Sequence, residues 1–377
     1  MNVSGIIFSN IHDNNIPDLT RIRTMASVPF GCRYRLIDFA LSNMVNSNIS
    51  EIKVITHYNY HSLMDHIGSG KDWDLARRSG GIELLPPYIT AYANNINSLY
   101  KTRLDALKSV NYSISRIKSD YVVLSDCDVI CNVDLNEMLN AHIESGADIT
   151  IAVKNMKLDR ATANKNVLIR SDDSGRIVDL SAYPVDFEGS ADVCLNIMVM
   201  KTRYLQDMVL DSIAHGYSSM TRDVIASGIK TRRFNIFRYD CFFACINSIS
   251  DYFRSSMELI SDIGMRSELF SVKNRPVYTK VRNSPPTYYS DESTVKNSLI
   301  ADGCTVYGTV ENSILFRGVK IGKNTVVKNS ILFQDTQTGE NVSLNCVISD
   351  KNTVVRDWRC LSGHESHPFY IEKGAMI

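Results

Sequence analysis

Over about the first 245 residues, short apolar, β-rich runs alternate with stretches whose apolar positions recur at helical spacing. Residues 3–8, 52–56, 120–124, 148–153 and 194–200 predict buried strands, and residues 135–145 and 202–212 predict helices. Strand–helix alternation argues for α/β layers on a mostly parallel sheet. Ligands of such folds sit at the carboxyl ends of strands. The loop after residues 3–8 and the triplet Asp126-Cys127-Asp128 both fall there.

A helical pattern over residues 249–263 follows, with Gly264 as its expected stop, and residues 283–289 read as a linker. Beyond it the pattern changes. Asn297-Ser298-Leu299-Ile300, Asn312-Ser313-Ile314-Leu315, Asn329-Ser330-Ile331-Leu332 and Asn345-Cys346-Val347-Ile348 recur at intervals of 15, 17 and 16. Short β-branched strands separated by Gly, Asn and Asp predict a parallel β-helix, a small β-sandwich being the alternative. The expected division is therefore 1–250, an α/β domain; 251–290, helix and linker; and 291–377, the β-helix. No histidine lies between His215 and His364, so the coils lack the catalytic histidine of β-helical acyltransferases.

Composition narrows the partners. Lys+Arg and Asp+Glu are both 41 in 377 residues, a formal net charge of zero that points to neither nucleic acid nor an anionic membrane. No apolar run is long enough to span a bilayer and no signal-peptide pattern is visible, so a cytoplasmic protein is expected. Nine scattered cysteines read as reduced thiols, and the pairs Cys127/Cys131 and Cys241/Cys245 as packing rather than zinc ligands. His57, His61 and His66, with only Asp65 near them, read as a helix start rather than a metal site.

The candidate chemistry begins with an absence: no glycine lies between Gly5 and Gly31. A phosphate-binding loop after the first strand needs glycines, because backbone N–H groups must approach phosphate oxygens without a Cβ in the way. Yet Val28-Pro29-Phe30-Gly31-Cys32-Arg33-Tyr34-Arg35-Leu36-Ile37-Asp38-Phe39-Ala40-Leu41-Ser42-Asn43 closely resembles the signature of ADP-glucose pyrophosphorylases, which join glucose-1-phosphate and ATP. The resemblance covers nearly the whole chain. It implies a Rossmann-like nucleotidyltransferase (GT-A-like) domain followed by a left-handed parallel β-helix.

It also implies where a site should be. The loop arginine falls on Asn15 and the lysine of the R-A-K-P-A-V motif on Met25, while Arg23 is retained. The adenine-reading glutamine falls on Tyr88, the sugar-phosphate lysine on Tyr183, and the second metal aspartate on Ala244. The first metal aspartate survives as Asp128, a metal remnant, and the aspartate of G-T-A-D-A-V as Asp105, in Thr102-Arg103-Leu104-Asp105. Losing one preorganised charge costs about 10²–10³ in rate.

Cations, a carboxylate and the loop are all altered, so no catalytic residues are expected, and no cofactor is required by this chain. The pattern is similar to the GlgD-type subunits of this family. Those assemble with a Mg²⁺-dependent catalytic homologue, implying a regulatory subunit of a glycogen-synthesis heterotetramer. A weakly active or altered-specificity nucleotidyltransferase is the second reading. The third is a stand-alone sensor binding a sugar-phosphate effector at Arg21, Arg23, Arg33 and Arg35.

Overall fold

The structure, a computed structural model, describes residues 2–86 and 100–377. The chain forms two compact units that do not follow chain order. One comprises residues 1–11, 39–245 and 274–278, the other residues 12–38, 246–273 and 279–377.

The first unit is built on a mixed sheet. Its strands are β1 (Val3–Phe8), β2 (Glu51–Ile55), β3 (Gly81–Leu85), β4 (Tyr121–Asp126), β6 (Ile149–Leu158), β7 (Val167–Ser171), β8 (Ile177–Ala182), β9 (Gly189–Lys201) and β10 (Phe234–Arg238). A short ribbon of β5 (Val129–Cys131) and β11 (Phe243–Cys245) lies outside it. The main order is β8-β7-β9-β4-β1-β2-β3, and β6 pairs with both β9 and β10. The strands β3, β2, β1 and β4 run parallel, and the apolar runs of β1, β2 and β4 are buried as parallel strands should be. Antiparallel β9 closes the other side.

The helices α1 (Arg103–Ser109), α2 (Leu135–Ser145) and α3 (Thr202–His215) belong to this unit. Leu104, Leu107, Leu205 and Val209 join Ile6, Val122, Leu124 and Ile151 in its core. The site lies where β1 and β4 end.

In the second unit, three parallel five-stranded sheets wind into the left-handed β-helix. Val310, Leu315, Val327, Leu332 and Leu344 fill its interior. Asn297, Asn312 and Asn329 turn the corners with φ of +41°, +47° and +45°, a region asparagine enters more readily than other side-chain-bearing residues. Gly322 permits close coil stacking, because a Cβ there would run into the Gly339 carbonyl of the next coil.

Two expectations are corrected here. Asn329 is matched at the next corner by Cys346, not Asn345: Ile331 pairs with Ile348, so the last interval is 17 residues. The Asn345 side chain still accepts from Asn329 Nδ2 at 3.0 Å, continuing the ladder from Asn297 and Asn312. Nor does Gly264 end the helix. The helix α4 (Ile249–Ser261) stops at Asp262, which caps α5 (Ile263–Phe270) through the Met265 N–H, and Gly264 lies inside α5. An aspartate that satisfies the next helix's open N–H outweighs a glycine's weak helix propensity.

Candidate nucleotide site

In the first unit two carboxylates lie close together at the end of β4. Asp126 ends β4 and Asp128 sits between β4 and β5, both only 1% exposed. Asp128 Oδ2 accepts from Asn196 Nδ2 at 3.4 Å and from Cys245 Sγ at 3.5 Å. Asn196 reaches it from an irregularity in β9 between Cys194 and Met198, where its φ is +57°. Asp126 Oδ2 accepts from Arg103 Nε at 2.8 Å and Nη2 at 2.5 Å.

Ala244 stands in β11 opposite Ile130, 8% exposed and without a carboxylate to offer. Mg²⁺ takes hard oxygen ligands and is commonly held by one or two carboxylates plus substrate phosphates. Here one carboxylate carries a guanidinium, one carries Asn196 and Cys245, and the third position is alanine. These residues do not fit the ion.

Asp105 lies in the first turn of α1, where its N–H donates to Thr102 Oγ1 at 3.1 Å and its carboxylate pairs with Lys108 at 2.7 Å. Tyr183 follows β8 with a φ of +55° and is 54% exposed. Partial burial holds its hydroxyl above the usual tyrosine range, with Arg103 opposing and Asp128 assisting. Tyr88 lies outside the described residues.

The histidines face separate surroundings. His57 lies against the Tyr100 ring, His66 against Trp73, and exposed His61 beside Asp65. All nine cysteines are free thiols.

In the second unit Met25, where the resemblance would place a lysine, is core. Met25 is 1% exposed in the turn Met25–Ser27, and its N–H donates to Asp13 Oδ1 at 2.6 Å. Burial raises the Asp13 carboxyl to about 7, although the Met25 N–H and His12 lower it. Asn15 donates to Asn247 Oδ1 at 3.2 Å.

The arginines of the expected effector site do different things. Arg23 is buried and ion-paired with Asp350 at 2.7 Å, whereas exposed Arg21 pairs with Glu372 at 3.0 Å. Exposed Arg33 lies 5.8 Å over the Tyr34 ring, and Arg35 is buried. Burial, then Arg35 and Arg23, push the Lys351 ammonium down to about 6 against the pull of Asp350, with Arg282 also lowering it.

Arg103, Asn196 and Asp350 escaped the sequence reading, and Asp126 was placed at the site but given no partner. The signal for Arg103 was a cation at the first position of a helix, where the helix dipole disfavours it unless an acidic partner faces it. Nothing local marks Asp350.

The fold and the remnant site together define a class. Residues 15–228 match the nucleotidyl transferase family and residues 286–364 the GlmU-like, C-terminal hexapeptide family. The chain belongs to the nucleotidyl transferase family, among the glucose-1-phosphate adenylyltransferases and GlgD proteins. It is 34% identical to the glycogen biosynthesis protein GlgD of Bacillus subtilis over 99% of this chain and 96% of that protein. The GlgD of Geobacillus stearothermophilus is 36% identical over the same shares. The glucose-1-phosphate adenylyltransferase of Thermosipho melanesiensis is 33% identical over 86% of this chain and 78% of that enzyme. Among the described residues no helix is long and apolar enough to cross a membrane.

Proposed function

We propose that this chain is a regulatory, non-catalytic subunit of a cytoplasmic glucose-1-phosphate adenylyltransferase in bacterial glycogen synthesis. A catalytic homologous subunit converts ATP and glucose-1-phosphate to ADP-glucose and pyrophosphate, and supplies the Mg²⁺ site. The two assemble as a heterotetramer.

The observation that carries this reading is packing. Where the family has a lysine and a metal aspartate, this chain has Met25 and Ala244, 1% and 8% exposed. Such transfers depend on positioning and electrostatic stabilisation, so apolar side chains at both places leave the developing charge unsupported.

Co-expression with an intact homologue tests it. A stoichiometric complex that turns over faster than the homologue alone is expected, with no pyrophosphate exchange by this chain alone. Exchange by the isolated chain with ATP or another nucleotide would establish the altered-enzyme reading instead.

One observation supports a phosphorylated effector as a further partner. Arg23 Nη1 is buried and, among the described residues, has no hydrogen-bond partner, and Arg23, Arg35 and Arg282 all act on the neighbouring Lys351. A sugar phosphate would balance that charge.

A further inference from the structure

The residues at the end of β4 fail to fit a divalent ion for a specific reason: a protein cation is already there. Arg103 opens α1, so the unpaired N–H groups of that helix repel its charge. It is nevertheless turned inward, its side chain 13% exposed, with two nitrogens on one oxygen of an Asp126 side chain that is 0% exposed.

Asp126 and Asp128 offer oxygens within 4.8 Å of each other. Two buried carboxylates that close cannot both stay ionised without a compensating cation. Arg103 supplies one, fixed in place and planar, so its fork reaches the carboxylate along two N–H directions.

We propose that Arg103 is a resident cation that takes the place of a divalent metal at the Asp126–Asp128 pair. It offsets one of the pair's two negative charges and excludes the ion. This rests on the non-catalytic reading, and it adds that the chain carries a built-in replacement for the metal rather than an empty site. Asp126 and Arg103 act together, because without Arg103 two close, buried carboxylates are left with no guanidinium on either.

The probe is Mn²⁺, followed by the loss of its free-ion EPR signal and by its effect on Tm. Wild-type protein is expected to show no binding that depends on Asp128. Arg103→Ala is expected to bind Mn²⁺ about 10²-fold or more tighter than wild type, and to gain Tm when the ion is added. Arg103→Ala/Asp126→Ala removes both charges and is expected to fold and ignore the ion.

Asp128-dependent Mn²⁺ binding by the wild type, as tight as by Arg103→Ala, would overturn the proposal. So would a folded Arg103→Ala protein that binds no Mn²⁺, or an unfolded one that the ion does not rescue while the double variant folds. The wild-type titration stands whether or not the variants fold. Activation of the catalytic homologue, measured on the same preparations, reports separately on the proposed function. Lost activation with the metal results intact leaves Arg103's role standing, and the converse leaves the regulatory reading standing.

Discussion

Arg23 Nη2 lies 2.7 Å from Asp350 Oδ1 and 2.9 Å from Oδ2, a buried ion pair between residues 327 apart in the chain. Arg23 thus ties the early segment of the second unit to its β-helix. Tyr370 and the Lys351 N–H complete the shell of Asp350 at 2.8 and 2.6 Å. Removing one partner strands the other charge, so Asp350→Ala should cost about 3–5 kcal/mol. Arg23→Ala/Asp350→Ala should cost less than the sum of the single changes. Urea unfolding of the four proteins checks this; strict additivity would mean that the pair is not coupled.

Asp13 predicts a pH dependence with a definite sign. Its carboxyl is raised from 3.8 to about 7 by burial. The folded chain therefore holds a proton that the unfolded chain has released, and its contribution to stability falls as pH rises through that window. Asp13→Asn stays neutral throughout and can still accept the Met25 N–H. Its Tm advantage over wild type should grow between pH 4 and pH 8, and an advantage constant with pH would refute the assignment.

Lys351 predicts a proton count. With its ammonium lowered to about 6, it is mostly neutral at pH 7.5 in the free protein. An anion beside it favours the charged form. Binding of inorganic phosphate or glucose-1-phosphate to this cluster should therefore take up a proton, read by calorimetry in buffers of different ionisation enthalpy. Lys351→Met should abolish the uptake. Phosphate binding without it would place the ligand elsewhere.

Met25→Lys should not revive catalysis, because Ala244 still offers no carboxylate and Arg103 still occupies Asp126. It should instead lower Tm, since an ammonium would enter a site where the present side chain is 1% exposed. Pyrophosphate exchange and a melting curve measure both. Turnover near that of a catalytic homologue would sink the reading of the site.

What could be read from the chain alone is what depends on short range. The apolar runs of β1, β2, β4, β6 and β9, the helix Leu135–Ser145 and the β-helical repeat all announce themselves, because periodicity records which faces are buried. The resemblance that places a lysine at Met25 and an aspartate at Ala244 was legible too, since a motif is a local string. Register was not. Asn345 and Cys346 differ by one place, and coil stacking decided between them. Gly264 looked like a stop until Asp262 was found capping the next helix.

Only the tertiary structure put Arg103 on Asp126 and Arg23 on Asp350. Each joins distant segments, and the residues beside an ion pair do not say which partner it will find. The sequence by itself determined the strand–helix alternation, the β-helical repeat and the resemblance that says where a charged site would stand. Folding alone decided what stands there, because a buried charge must find its partner in space rather than along the chain.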